Sequence, residues 1–270
     1  MRKPIILVRG GGDLGTGVAA RIWRSGFGVL VTEIAQPLAV RRLVALAEAV
    51  YAGSVAIEDL RGVRVETPTE AMGALEAGSI PVLIDPGADM RSHVRLDALV
   101  DARMTKAPPD LGLNAARLVI GLGPGFTAEQ DCHAIVETHR GHTMGRVLWH
   151  GGAAADTGVP EPVGGVDVDR VLRAPGDGIL RALADLGSVV RRGQVIAEVD
   201  GTSLPAPFDG ALRGLLHDGL IVKRGTKIGD LDPRADPAYC RLISDKSLAV
   251  GGGVLEALLS RLEIRRALGD

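Results

Sequence analysis

The sequence predicts an α/β fold: a parallel sheet with helices on its faces, a small all-β module inserted after it, and a helical C-terminal segment. Three observations carry this reading. Short apolar runs alternate with helix signals as far as residue 137, the pattern of strand–helix units. Between residues 171 and 231 the helix signals fade, and short Val/Leu/Ile runs alternate with glycine turns. Inside that stretch, Ala174-Pro175-Gly176-Asp177-Gly178 recurs as Ala206-Pro207-Phe208-Asp209-Gly210, and Val190-Arg191-Arg192-Gly193 as Val222-Lys223-Arg224-Gly225. Gly187 matches Gly219, and every offset is 32 residues.

The elements follow in order. Residues 5–8 are a continuous apolar run, the mark of a strand buried on both faces. Gly10, Gly12 and Gly15 then form a G-x-G-x-x-G turn, and residues 14–25 read as a helix stopped by Gly26. Residues 29–32 are a second strand ending at Glu33. Residues 38–50 have helical periodicity, and 63–65 are a short strand. Thr67-Pro68-Thr69-Glu70 announces a helix, with Thr67 as cap, Pro68 at the first helical position and Glu70 closing a capping box. Residues 80–84 form a strand ending in Asp85-Pro86, 96–104 fit either strand or helix, and 118–120 are a strand. Thr127 to Gln130 spells a second capping box, which predicts a helix over 128–137. Gly251-Gly252-Gly253 precedes an amphipathic helix over 254–268 that packs back on the first domain. The domains expected are 1–165, 168–232 with two similar halves, and 236–270.

Composition bounds the function. With 46% hydrophobic and 24% charged residues the chain builds a packed core, and with 3% aromatics that core is Ala, Val, Leu and Ile. A net charge of −2 and no basic block exclude a nucleic-acid partner. Cys132 and Cys240 give neither a disulfide framework nor zinc-ribbon spacing, and no run approaches the roughly 18 apolar residues of a membrane span. The N-terminal apolar run turns into glycine too soon for a signal peptide. The expectation is a cytoplasmic protein.

The chemistry concentrates in two glycine turns and one polar cluster. Gly10, Gly11, Gly12 and Gly15 lie between strand and helix, where backbone N–H groups and the helix N-terminus attract a phosphate. Glu33, 23 residues beyond Gly10, stands where an acid binds a ribose hydroxyl in a Rossmann-like dinucleotide fold. Asp13 opposes that reading, since it faces a pyrophosphate unfavourably unless it caps the helix. The bland alternative is a tight turn without a dinucleotide. Gly121, Gly123, Gly125 and Phe126 form a second loop, which either holds the other end of the same ligand or is only a turn.

Residues 133–150 hold His133, His139, His142 and His150, four of the six histidines. Arg140 and Arg146 supply charge-assisted donors there, with Thr138 and Gly141 between them. His-x-x-His over 139–142 without a neighbouring Cys or acid at standard spacing is poor evidence for a metal, and none is expected. His133 is a ligand contact, an acid–base group or a packed histidine. Asp85 meets a ligand at the sheet edge or forms a turn. Lys106 contacts phosphate or is solvated. Cys132 is a reactive thiol only if a helix N-terminus lowers its pKa; otherwise it is a small buried residue.

The stretches VRGGGDLGTGVAARI near the start, AEAVYAG at 47–53, GLGPGFTAEQDCHAIVETHRGHTMGRV in the middle and GGGVLEAL at 251–258 resemble the accessory proteins of selenium-dependent molybdenum hydroxylase systems. These are related to the maturation proteins of xanthine dehydrogenase. The resemblance runs nearly end to end. It implies a maturation factor that binds a phosphorylated or nucleotide-bearing molybdopterin-type cofactor for modification or delivery, with a molybdenum hydroxylase or its cofactor delivery proteins as partners. It fixes no reaction, and Cys132 is not part of the family pattern. A homo-oligomer stays open. The repeated module resembles a biotinyl/lipoyl-type barrel-sandwich, but its central connection, Val199-Asp200-Gly201-Thr202-Ser203, has no lysine to carry a swinging arm. Two other readings remain: an NAD-dependent oxidoreductase resting on Gly10, Gly12, Gly15 and Glu33, and a non-catalytic scaffold joining a hydroxylase to its delivery chain.

Overall fold

A computed structural model describes residues 3–105, 107–155 and 168–269. The chain divides into two compact units, Met1–Pro37 with Leu46–Thr157 and Ile243–Asp270, and Leu38–Ala45 with Gly158–Leu242.

The first unit is built on a nine-stranded sheet. Its strands are β1 (Ile5–Arg9), β2 (Gly28–Glu33), β3 (Ser54–Ile57), β4 (Leu60–Arg64), β5 (Ile80–Ile84), β6 (Ala98–Asp101), β7 (Val119–Leu122), β9 (Ala134–Val136) and β10 (Val147–Leu148), and a separate two-stranded ladder joins β8 (Thr127–Ala128) to β11 (Gly151–Gly152). The order across the sheet is β10-β9-β7-β6-β1-β2-β5-β4-β3. From β9 to β4 all neighbours are parallel; β10 and β3 close the edges antiparallel. The sheet is therefore mixed, which corrects the expected purely parallel one, while the α/β class is consistent with it. Every residue of β1 is buried, as a strand covered on both faces requires.

The helices of this unit are α1 (Asp13–Arg24), α2 (Ala49–Ala52), α3 (Pro68–Glu76), α4 (Asp245–Leu259) and α5 (Leu262–Gly269). The Thr67 hydroxyl accepts the Glu70 N–H at 3.2 Å, so the first capping box starts α3, although Glu70 reaches back to the Glu66 N–H. Small residues let α1 and α4 pack closely: an added Cβ at Gly251 would lie 2.7 Å from the Gly17 carbonyl oxygen. The predicted C-terminal helix begins earlier than expected, because the Ser244 hydroxyl caps it at the Ser247 N–H. All three glycines sit inside it, and the missing side chain of Gly251 allows that approach.

Two predicted helices are absent. Residues 38–50 hold only 3-10 turns and short α2, and Leu38–Ala45 belongs to the second unit. Residues 128–137 hold a turn and β9. There the Thr127 N–H donates to the Asp131 carboxylate at 2.7 Å, closing a turn, and Ala134-Ile135-Val136 is drawn into the sheet beside β7.

The second unit contains β12 (Val171–Arg173), β13 (Gly178–Ala182), β14 (Val189–Val190), β15 (Val195–Val199), β16 (Thr202–Pro205), β17 (Gly210–Leu215), β18 (Ile221–Val222) and β19 (Lys227–Asp232). They form two four-stranded antiparallel sheets, β12-β19-β17-β14 and β16-β15-β13-β18. The inserted barrel-sandwich of the fold prediction is not found as a separate module. The unit is completed by Leu38–Ala45 from far upstream: the Val40 carbonyl accepts the Leu215 N–H at 2.9 Å, and Arg42 donates to the Leu215 carbonyl at 2.8 Å.

Gly178 and Gly210, Val189 and Ile221, and Val195 and Lys227 open matching strands at the 32-residue offset. The two sheets exchange into one another under this correspondence, and so do their hydrogen bonds. The Gly187 N–H donates to the Leu212 carbonyl and that of Gly219 to Leu180, both at 2.8 Å. The Arg192 N–H donates to Asp209 and that of Arg224 to Asp177, both at 2.7 Å. Each half thus supplies partners to the other, an approximate twofold written into the sequence.

Candidate functional site

The chain leaves β1 for β2 on one side of the sheet and later returns to place β6 on the other. This reversal of strand order makes the carboxyl ends of β1 and β6 a topological switch point, the usual position of ligand sites in open α/β sheets. The glycine turn sits there. Gly10, at φ +99°, passes so close to the chain beyond β6 that an added Cβ would lie 3.1 Å from the Arg103 Cα.

Protein groups hold most of this turn. The Gly10 N–H donates to the Thr32 carbonyl at 2.8 Å, and the Gly11 carbonyl accepts the Ala47 N–H at 2.9 Å and the Thr16 hydroxyl at 3.0 Å. Gly15 lies against the Gly10 backbone. Glu33 braces the turn: its carboxylate accepts the Gly11 N–H at 2.7 Å and the Ile34 N–H at 3.0 Å. Burial raises the Glu33 pKa, against the lowering effect of those two donors. Asp13 opens α1, and its carboxylate accepts the Ser247 hydroxyl of α4 at 2.8 Å. Gly12 stays open: it caps α1 at φ −67°, and a Cβ there would meet nothing within 4 Å. The Thr32 hydroxyl, 1% exposed, has no hydrogen-bond partner among the described residues.

Beside the turn lies a charge cluster that sequence reasoning missed. Arg9, the last residue of β1, is 2% exposed, and its Nη1 and Nη2 reach the Asp110 carboxylate at 2.5 and 2.7 Å. Nε and Nη2 also donate to the Pro86 carbonyl, at 3.2 and 2.5 Å. Asp101, at the end of β6, lies 3.5 Å from Arg9 and accepts Arg103 Nε at 3.0 Å and Nη2 at 2.7 Å. Arg103 Nη2 also reaches Asp110 at 2.7 Å. The two guanidinium groups hold the Asp110 carboxyl well below the usual carboxylate range, Arg9 foremost. The only sequence signal was an Arg closing an apolar strand, because the partners are 92 to 101 residues away.

The other predicted residues fall elsewhere. Asp85 accepts the Asp89 and Met90 N–H groups, both at 2.9 Å, and so starts a 3-10 turn. The second glycine loop follows β7, two strands from β1, or about 10 Å across the sheet. With no helix after it, it lacks the helix N-terminus expected to complete an anion cradle. Gly121 packs on the Phe126 ring, and Gly123, at φ +66°, lies against the Thr138 hydroxyl. Gly125, at φ +101°, has open space around it.

The polar cluster is organised by Glu137, another residue the sequence did not flag. Its buried carboxylate accepts the N–H groups of Thr138, His139 and Ala154, each at 2.7 Å. Arg140 makes a two-pronged pair with Asp245 of α4 at 2.8 and 2.9 Å, and Arg146 donates to the His142 carbonyl at 3.2 Å. Gly141 turns at φ +124° with open space around it. His150 pairs with Glu129 at 3.0 Å on the surface.

His133 is placed at the opposite, amino edge of the sheet. Its Nδ1 accepts the Val119 N–H at 3.0 Å, and burial, with the charge of Arg261, lowers its pKa, so the ring is neutral near pH 7. Cys132 is buried rather than reactive, its thiol pushed up to about 11 by burial. Lys106 lies outside the described residues. Among the described residues no three His, Cys, Asp or Glu side chains gather as a metal site would require, and no helix is long and apolar enough to cross a membrane.

No family model matches the chain. An uncharacterized protein of Escherichia coli K12, YqeB, is 43% identical over 255 residues, which cover 94% of this chain and 47% of that protein. The chain thus spans about half the length of the curated relative it matches. Three solved structures align with 84 to 85% of their own chains and 85% of this one. They are the ectoine utilization protein EutE (DoeB) of Ruegeria pomeroyi (15% identity, TM-score 0.26), an aspartoacylase family protein of Mesorhizobium loti (14%, 0.26) and a succinylglutamate desuccinylase of a Silicibacter species (14%, 0.24). At TM-scores this low the likeness fixes neither fold nor activity. The expected membership of the molybdenum hydroxylase accessory family is corrected: none of the proteins found is named as such a factor. The maturation role, and the oxidoreductase and scaffold readings beside it, are withdrawn.

Proposed function

We propose that the first unit binds a small phosphorylated ligand, of the size of a nucleotide, at the carboxyl ends of β1 and β6. The observation that carries this reading is Gly12. It is open to solvent between a turn pinned by Glu33, Thr16 and Ala47 and the first turn of α1. A phosphate there meets the N-terminal N–H groups of a twelve-residue helix and the positive end of its dipole. Asp13, the objection raised by the sequence, is hydrogen-bonded to Ser247. The unpartnered Thr32 hydroxyl supports the reading, because a buried polar group without a partner is rare away from ligand or water sites. Two buried free cysteines fit a cytoplasmic setting.

Calorimetric titration with ADP tests the proposal. Wild type binds with a dissociation constant below about 1 mM, or about −4 kcal/mol. Gly12→Val abolishes binding and leaves thermal stability nearly unchanged, because φ is ordinary there and a side chain has room. Equal binding by wild type and Gly12→Val refutes the site.

A further inference from the structure

We propose that Arg9 and Arg103 form a carboxylate clamp beside the glycine turn, and that Asp110 is its resting occupant, displaced when a ligand presents a carboxylate of its own. The inference deepens the proposed function and rests on ligand binding at that edge.

One carboxylate lies between two guanidinium forks. Asp110 Oδ1 is 2.5 Å from Arg9 Nη1 and 2.7 Å from Arg103 Nη2; Oδ2 is 2.7 Å from Arg9 Nη2 and 3.5 Å from Arg103 Nη1. Paired contacts of this kind are how arginine recognises a planar oxyanion. Neither arginine depends on Asp110 for its position. Arg9 is anchored by the Pro86 carbonyl, and Arg103 by Asp101. With Asp110 in place the two cations and two carboxylates balance; without it, Arg9, Arg103 and Asp101 leave one net positive charge at the carboxyl ends of β1 and β6.

Burial distinguishes the two acids. The Asp101 side chain is 5% exposed, so it is a fixed part of the cradle. The Asp110 side chain is 53% exposed, between β6 and the 3-10 turn Leu113–Ala115, and a side-chain rotation releases it to water. Its exposed side lets Asp110 exchange with a ligand from solvent, whereas the 2%-exposed Arg9 requires an anion close by. The clamp also adjoins the proposed phosphate position, because Gly10 is in backbone contact with Arg103. The ligand class is therefore a small phosphorylated molecule bearing a carboxylate.

Calorimetry at low ionic strength, with succinate as probe, tests the clamp. Asp110→Ala binds succinate at least about tenfold more tightly than wild type, because an internal competitor at millimolar effective concentration or above is gone. Adding Arg103→Met to Asp110→Ala removes the gain. Asp110→Asn, which preserves the volume, shows the same direction and serves if the alanine variant folds poorly. Equal succinate affinity in wild type and in the Asp110 variants overturns the clamp. A parallel ADP titration separates the two ideas: ADP binding without the succinate gain sinks the clamp alone, and loss of both sinks the phosphate site as well.

Discussion

At the residue scale, the site depends on where buried charge is compensated. Arg9 closes a strand whose other residues are all apolar, and Asp101, Asp110 and the Pro86 carbonyl converge on its guanidinium. Glu33 is the opposite case, a half-buried carboxylate that faces backbone donors and, among the described residues, no cation. Because burial raises its folded pKa above the unfolded value of about 4.3, its contribution to stability is fully present below that value. It is lost as pH rises through the folded pKa. Glu33→Gln removes this titration, so its melting temperature relative to wild type increases as pH goes from about 4 to about 8. Melting curves across that range check it; a pH-independent gap counts against a destabilising buried charge. In the sequence Glu33 was legible as a functional position, but not in its role, since spacing places an acid at a strand end without telling which hydrogen-bond donor it meets.

At the element scale, the legible segments were those whose local signal had one structural solution. The all-apolar run of β1 and the Thr67-Pro68-Thr69-Glu70 cap of α3 are of this kind. The second capping box failed because Thr127 found a different partner: Asp131, not Gln130, takes its N–H, and Glu129, at φ +71°, breaks any helix. Residues 38–50 failed because their apolar positions serve two bodies, Val40 against β17 of the second unit and Leu46 in the core of the first. The glycines at 251–253 read as a helix leader, yet they lie inside α4, with Gly251 against α1 and Gly253 against the Gly145 turn. Packing at that helix pair is testable. Gly251→Val drives a side chain into the Gly17 carbonyl and the Arg21 side chain, each within 3 Å of a Cβ, and costs about 2–3 kcal/mol in urea unfolding. Gly252→Val, where a Cβ meets nothing within 4 Å and glycine is the poorer helix former, leaves stability within about 0.5 kcal/mol of wild type. Equal losses contradict close helix packing as the reason for glycine at 251.

At the scale of the whole molecule, two kinds of information behaved differently. The repeat was visible because symmetry is a long-range property that sequence prints directly, and strands and hydrogen bonds of the second unit follow the 32-residue offset. The candidate site was visible only in part. Gly10 to Gly15 are contiguous and announce themselves, while Arg9, Asp101, Arg103 and Asp110 meet only because strand order reverses between β1 and β6. The dense histidine and arginine stretch misled for the converse reason. Residues adjacent in sequence diverged, His133 to the amino edge, Arg140 to Asp245 and His150 to Glu129.

The proposed ligand binds over the glycine turn at the β1/β6 switch point and not over the histidine-rich loop. Backbone amide shifts of isotope-labelled protein titrated with ADP test it most directly. Saturable shifts concentrated at Gly11, Gly12, Leu14 and Arg103 are expected, with His139, Arg140 and His142 unmoved. Shifts concentrated at 138–146, or none at millimolar ADP, would contradict it.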